Sequence, residues 1–344
     1  GSEMCIRDSF NAFLRIEKTE KRDGNTRTIR PEAQACFDKR HSFADRQIQN
    51  ENLLRLFQLK YDLLEMYRRR LQTELNLGVV GIAADNRTRQ YMDLYTEKSK
   101  KAEQETENGQ NEIKLQEWEF YVTKELIENP APSIPRISPR RFGYGFYLGT
   151  GASFPVGSIA DYWDPAWQIN VGFDLAYANT HLLCDFSAGT ARTRQEIIVS
   201  NGQITDKWLR NGHNTYTSIS LGIGQQLIST KYFALMPYVG CIWSGYSDQA
   251  KIQEGRNERT TLSYTNFNWT AGICFDYRFS TTISLVPSFW RGHREIFTAS
   301  IRTKLFINRE QYKNFNAIEG NMIRGCKLGF SVACLGFSRL LQIK

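Results

Sequence analysis

Residues Phe142 to Phe154 read F-G-Y-G-F-Y-L-G-T-G-A-S-F, and the alternation in that stretch decides the fold. Phe142, Tyr144, Phe146, Leu148, Ala152 and Phe154 share one face, against Gly143, Gly145, Gly149 and Gly151 on the other. A period of two belongs to a strand, not a helix. The pattern returns from Trp167 to Tyr177, where Trp167, Ile169, Val171, Phe173, Leu175 and Tyr177 oppose Gln168, Asn170, Gly172, Asp174 and Ala176. It returns again from Phe267 to Tyr277, with Asp276 on the polar side. A sheet with one apolar and one polar face is either soluble with a wet side, or a membrane barrel with lipid outside and a polar lumen. Repetition over strands of about ten residues or more favours the barrel.

The rest of the composition agrees with two unlike parts. Charged residues crowd the first part of the 344-residue chain, and six of its seven tryptophans lie beyond residue 130. No run of eighteen apolar residues supplies a transmembrane helix, a test that barrel strands escape. The formal charge of +8 raises nucleic acid as a partner. Yet Arg68, Arg69, Arg70, Lys98, Lys100 and Lys101 are mixed with acids. No nucleic acid is therefore expected, and outer-membrane lipid or lipopolysaccharide at a barrel rim suits Arg140, Arg141 and Arg210 better. The seven cysteines are odd in number and lack any C-x-x-C pair; with four histidines they form no zinc pattern, and no cofactor is expected. Gly1-Ser2 resembles a tag remnant, so the native start is expected to be absent, and residues 1–45 are expected to be poorly ordered or truncated.

Residues 46–129 predict a helical hairpin or small bundle. Leu53, Leu56, Phe57, Leu63, Leu64, Tyr67, Leu71 and Leu75 recur every three or four residues, interrupted by Lys60, and Gly78 marks an end. Further helices are expected over 87–107 and 111–128, separated by Asn108-Gly109. The apolar stripe serves either self-packing and oligomerisation or partner docking; Leu53, Phe57, Leu64, Tyr67, Trp118 and Tyr121 are the candidate docking residues. Pro130, Pro132, Pro135 and Pro139 then predict a stiff linker over 130–141.

Barrel strands are expected within 142–340, at 142–154, 167–178, 181–194, 213–226, 232–247, 262–278, 281–290, 294–308 and 322–335. Bacterial single-chain barrels use even numbers, so eight is preferred and ten stays open. Asn179-Thr180, Ser229-Thr230-Lys231 and Phe279-Ser280 read as tight turns, alternating with longer connections at 155–166, 195–212, 248–261 and 309–321. Such alternation puts turns on one side of a membrane and loops on the other. Inside, glycines leave room for Tyr147, Tyr238 and Arg302, while Asp174, Asp185, Asp276, Arg302 and Lys304 form a candidate charge network filling a narrow lumen. Trp163, Trp167, Trp243, Trp269 and Trp290 form a candidate girdle at the lipid headgroups.

The strands from G-F-Y-L-G-T-G-A-S-F-P-V-G through W-Q-I-N-V-G-F-D-L-A-Y resemble the outer-membrane β-barrel proteins of the Bacteroidota, over roughly residues 142–340. The end, L-G-F-S-V-A-C-L-G-F-S-R-L-L-Q-I-K, departs from the usual pattern in lacking a terminal aromatic. The resemblance implies an outer-membrane location, and with the helices added, an accessory subunit anchoring an envelope complex through a periplasmic helical region. A small porin or external-ligand binder is the alternative. A lipid hydrolase would need His213 to meet Ser218 or Ser220 with Asp185 or Glu196 as the acid, but His213 and Ser218 fall on opposite faces of one strand.

Overall fold

The protein is seen in a computed structural model that describes residues 8–44, 51–200, 205–248, 263–286, 294–312, 315–316 and 323–343. Strands β1 (Ala12–Asp23) and β2 (Thr26–Phe37) come first, then helices α1 (Glu51–Leu77), α2 (Ile82–Glu105) and α3 (Glu112–Glu128). Eight long strands follow: β3 (Ile137–Gly157), β4 (Ala166–Tyr177), β5 (Thr180–Arg192), β6 (His213–Gln225), β7 (Phe233–Asp248), β8 (Ser263–Ser284), β9 (Glu295–Tyr312) and β10 (Ile323–Ile343).

From β3 to β10 each strand pairs antiparallel with the next, and β10 pairs back onto β3, with Phe330 opposite Ala152. The result is a closed meander with no free edge among its eight strands, which satisfies the backbone without water. The alternation holds residue by residue. Along β4, Trp167, Ile169, Phe173, Leu175 and Tyr177 are exposed, whereas Gln168, Asn170, Asp174 and Ala176 are buried. The fold is therefore mainly β, an antiparallel eight-stranded barrel of the transmembrane kind, apolar outside and polar within.

Four expectations need correction. The stretches 262–278 and 281–290 are one strand, β8, and Phe279-Ser280 is a bulge, not a turn: pairing with β9 slips between Arg278 and Ser280 and then resumes at Ser280 opposite Ala299. The linker ends at residue 136, because β3 already starts at Ile137; Pro139 sits opposite Leu341 at a register shift, where a missing N–H is tolerated. The last strand runs on to Ile343 and completes the barrel. Finally, residues 12–37, expected to be poorly ordered, form the β1–β2 hairpin around the turn Gly24-Asn25, where the Gly24 φ of +59° is readily adopted by glycine.

That hairpin joins the two parts of the molecule. β7 leaves β8 at Phe233 opposite Tyr277, and β2 takes up the vacated edge, running parallel to Thr281–Ser284. Asn25 fastens the junction, donating from Nδ2 to the carbonyls of Arg278 at 2.9 Å and Lys231 at 3.1 Å. α1 lies against β2, where Gln72 Oε1 accepts from the Ala33 amide at 2.8 Å. Within the bundle the interruption at Lys60 has a purpose, since its buried ammonium meets Glu103 of α2 at 2.5 Å. Arg55 grips Glu119 of α3 at 2.7 and 2.9 Å, and the Asn111 side chain caps α3 by accepting from the Lys114 amide. The helices thus sit at the barrel end that carries the short turns.

Candidate functional site

The inward faces of β3, β4, β5, β8 and β9 converge on one charged layer near the turn end. Arg302 on β9 donates to Asp276 from Nε at 2.7 Å and from Nη2 at 2.8 Å, and to Asp174 from Nη2 at 2.8 Å. Next along the inward face of β9, Lys304 meets Asp185 at 2.7 Å, and the hydroxyls of Tyr147 and Ser220 also donate to Asp185. All five residues of the expected network are brought together, each at least nine-tenths buried. Two cations face three carboxylates, and His181 Nδ1 stands 2.7 Å from Asp174 Oδ1, a further partner for that carboxylate beside Arg302. His181 escaped the sequence reading, although it shares strand parity with Leu183 and Asp185.

The glycines shape this layer. A Cβ on Gly172 would lie 2.2 Å from the Tyr147 ring, so only glycine lets Tyr147 lie flat across β4 and reach Asp185. Gly172→Ala is expected to destabilise the barrel by about 1–3 kcal/mol through overpacking. Adding Tyr147→Ala should recover part of the loss in urea unfolding from lipid vesicles; no recovery would mean that Tyr147 is not what the new methyl strikes.

A second layer crosses the lumen near the loop end. Trp163 stacks on Tyr246 with centroids 4.5 Å apart, and Tyr216 and Tyr312 pack around them. Beneath the rings, Glu310 accepts from Ser244 at 3.0 Å and from Tyr312, and pairs with Lys327 at 3.3 Å; Lys327 sits 3.7 Å from the Tyr216 centroid. A small loop sheet covers this end: Ile197–Ser200 pairs with Thr205–Trp208 and with Phe315–Asn316. Between the layers remains a cavity of about 30 Å³, lined by Gln168, Asn170, Ser218, Thr270 and Asn308 among others. That volume suits about one water. Glu310 was missed because β9 was expected to end at 308.

Trp163 is accordingly corrected from girdle to lumen: it is fully buried, because the short helical turn Ser158–Asp161 carries it inward over the barrel mouth. Trp167, Trp243 and Trp269 do face outward near the loop end, and Tyr177, Tyr232 and Tyr277 face outward near the turn end. Trp290 lies outside the described residues. From Trp167 to Tyr177 the strand advances about 33 Å, or roughly 25 Å along an axis tilted by about 40°, which is the height of a lipid-facing band.

The helical residues are also corrected. Leu53, Leu64 and Tyr67 are buried in the bundle core, and Phe57, Trp118 and Tyr121 pack partly buried against it. They hold the helices together and are not available to a partner. Among the described helical residues the exposed large apolar side chains include Leu54, Leu77 and Ile82, and a row on α3, Ile113, Phe120 and Ile127, each 73 % exposed and spaced seven residues apart.

For hydrolytic chemistry, His213 is exposed at the loop end of β6, opposite Arg192, while Ser220 is engaged by Asp185 nearer the turn end. His181 and Asp174 make a buried dyad, but Asp174 is shared with Arg302. Among the described residues no group of three or more His, Cys, Asp and Glu side chains is placed to hold a metal ion.

No protein-family model matches the chain, and no curated protein does. Solved structures do resemble it. Ail, the attachment invasion locus protein of Yersinia pestis, in complex with the heparin analogue sucrose octasulfate, is 12 % identical, with 58 % of this chain and 99 % of that one covered at a TM-score of 0.30. The N-terminal β-barrel domain of OprF from Pseudomonas aeruginosa is 8 % identical, covering 58 % and 99 % at 0.25. A major outer membrane protein from Thermus thermophilus is 12 % identical, covering 57 % and 98 % at 0.25. The barrel assignment rests on the closed strand pairing, independently of these likenesses.

Proposed function

We propose that this protein is an outer-membrane barrel that acts as an anchor, holding its helical domain on the periplasmic side as a docking element for an envelope complex, without conducting solutes or catalysing a reaction. The α3 stripe carries this reading. Three large apolar side chains at heptad spacing run about 21 Å along one helix. Glu117 and Lys124 flank them, so the stripe is narrow and straight. That geometry fits one amphipathic helix of a partner protein, with Ile113, Phe120 and Ile127 as its anchors.

The barrel supports the same role from the other side. Two buried layers crossing the lumen favour a membrane anchor over a porin, and the β2–β8 pairing gives the helices a fixed seat on it. Two short connections, at 178–179 and 226–232, and the outer ends of the first and last barrel strands lie on the helical side, and in bacterial barrels the side of the short turns is the periplasmic one. The Gly-aromatic strands that resemble those of the Bacteroidota are in keeping with this setting. Of the loops that would contact an external ligand in the alternative reading, 249–262 lie outside the described residues.

The test is a photo-crosslinking residue at position 120 of the full chain in native outer membranes, with position 169 on the barrel wall as control. A discrete protein adduct at 120, lost in Ile113→Glu/Ile127→Glu, is expected. An adduct unchanged by those substitutions, or none at all, would remove the docking role.

A further inference from the structure

Where β8, β9 and β10 run side by side, the outer wall of the barrel carries a groove of about 520 Å³. Its sides are Ala271 and Ile273 on β8, Leu305 and Ile307 on β9, and Leu328 on β10, and no charged side chain lines it. The pairing explains the hollow. Ala271 stands between Val239 and Ile307, and Ile307 stands opposite Leu328, so a single methyl interrupts a row of branched side chains. One outward position beyond Ile307, Arg309 ends the apolar run. It is exposed, and among the described residues its guanidinium has neither a carboxylate nor a hydrogen-bond partner.

Register sets the height of that cation. Thr270 pairs with Asn308, and further toward the loop end the Asn266 side chain donates to the Gln311 carbonyl, so Trp269 comes beside Arg309. Adjacent strands are about 4.8 Å apart, and a tilt of about 40° separates the two residues in height by roughly 3 Å. Arg309 therefore shares the headgroup level that Trp269 marks. Arg324 on β10 lies diagonal to it across the Arg309–Cys326 pair, at roughly 7–8 Å. Below Arg309, each outward position along the strand adds about 5 Å of depth. Ile307 is one position down and Leu305 two, and Ile273, opposite Leu305, is midway between Trp269 and Tyr277. The groove thus descends through the loop-side half of the hydrocarbon, directly beneath a cation that no described carboxylate neutralises. A second copy of the chain does not suit it, because a two-fold contact through this patch would set Arg309 against Arg309. A phosphate joined to an acyl chain matches both parts, the guanidinium fork above and the apolar groove below.

We propose that this wall binds one molecule of lipid A, the phosphate-bearing anchor of lipopolysaccharide. Arg309, with Arg324 beside it, holds a phosphate, and one acyl chain lies in the groove between Ala271, Leu305 and Ile307. The site rests on the reading that the loop end faces outside, where the outer leaflet consists of lipopolysaccharide. It fixes the barrel to its leaflet at the end away from the helical domain.

The experiment uses the full chain in dodecyl maltoside micelles, titrated with monophosphoryl lipid A and followed by native mass spectrometry. The same lipid A without its phosphate, and phosphatidylglycerol, are titrated in parallel. One lipid A per barrel is expected, with the dephosphorylated form about tenfold weaker. Arg309→Gln should weaken lipid A about tenfold and leave the dephosphorylated form unchanged. Ala271→Phe, which fills the groove without placing a polar atom in lipid, should weaken both forms about tenfold. Both positions lie on the outer wall, so folding is retained. Arg192→Gln, at an exposed position on β5, four strands around the barrel from β9, should change nothing. Phosphatidylglycerol binding as tightly as lipid A would overturn the assignment of the lipid. Absence of a one-to-one complex, or wild-type affinity in both Arg309→Gln and Ala271→Phe, would overturn the site. A barrel that does not enter a membrane shows instead in the stability of Ile273→Arg, read in a bilayer without lipid A.

Discussion

Replacing Arg302 with methionine is expected to destabilise the barrel by about 3–5 kcal/mol, since it strands buried carboxylates without their cation. Arg302 is 1 % exposed, and both Asp174 and Asp276 bond to it. The loss should be read by urea unfolding in lipid vesicles, following tryptophan fluorescence and the gel mobility of the folded barrel. The triple variant Arg302→Met/Asp174→Asn/Asp276→Asn should recover most of it, because neutral amides are far less costly to bury than unpaired charges. Lys304→Met should lose less, as Asp185 keeps the hydroxyls of Tyr147 and Ser220. An Arg302→Met barrel within about 1 kcal/mol of the wild type would show that the ion pairs do not hold the lumen. None of these variants should conduct ions, because the Trp163–Tyr246 layer still closes the loop end.

Ile273→Arg is the second large effect, expected to cost about 2–4 kcal/mol of stability in a bilayer. Ile273 faces outward on β8, midway between Trp269 and Tyr277, and so lies at the midplane if those rings mark the two headgroup layers. In a soluble barrel the same substitution at an exposed site would change stability by roughly 0.5 kcal/mol or less. Thr270→Val, on the lumen side of the same strand, is the control: it removes the hydroxyl that donates to Asn308 at 2.6 Å but places no charge in lipid. Insertion of Ile273→Arg with wild-type stability would mean that this face does not meet hydrocarbon.

Much of this architecture is legible in the chain because it is local. Strand parity puts Asp174, Asp185, Asp276, Arg302 and Lys304 on one face without knowledge of any partner, and barrel closure then leaves them little choice but one another. The helix stripe from Leu53 to Leu75 is equally local. Even the hairpin has a local signal, Gly24-Asn25 between two alternating segments.

Other features depend on what lies across the gap. Phe279-Ser280 looks like a turn because a bulge is defined by the register of β9, not by its own residues. Trp163 has the composition of a girdle residue, but a helical turn swings it over the lumen. An apolar helix face declares only that it must be covered: α1 is covered by α2, α3 and the hairpin, so the open stripe falls instead on Ile113, Phe120 and Ile127. Periodicity alone therefore determined the barrel, the inward charges and the helical region, because side-chain direction repeats with the backbone. Only the tertiary structure decided how the lumen is closed, where the helices are seated and which surfaces stay free, because each depends on contacts between residues far apart in the chain.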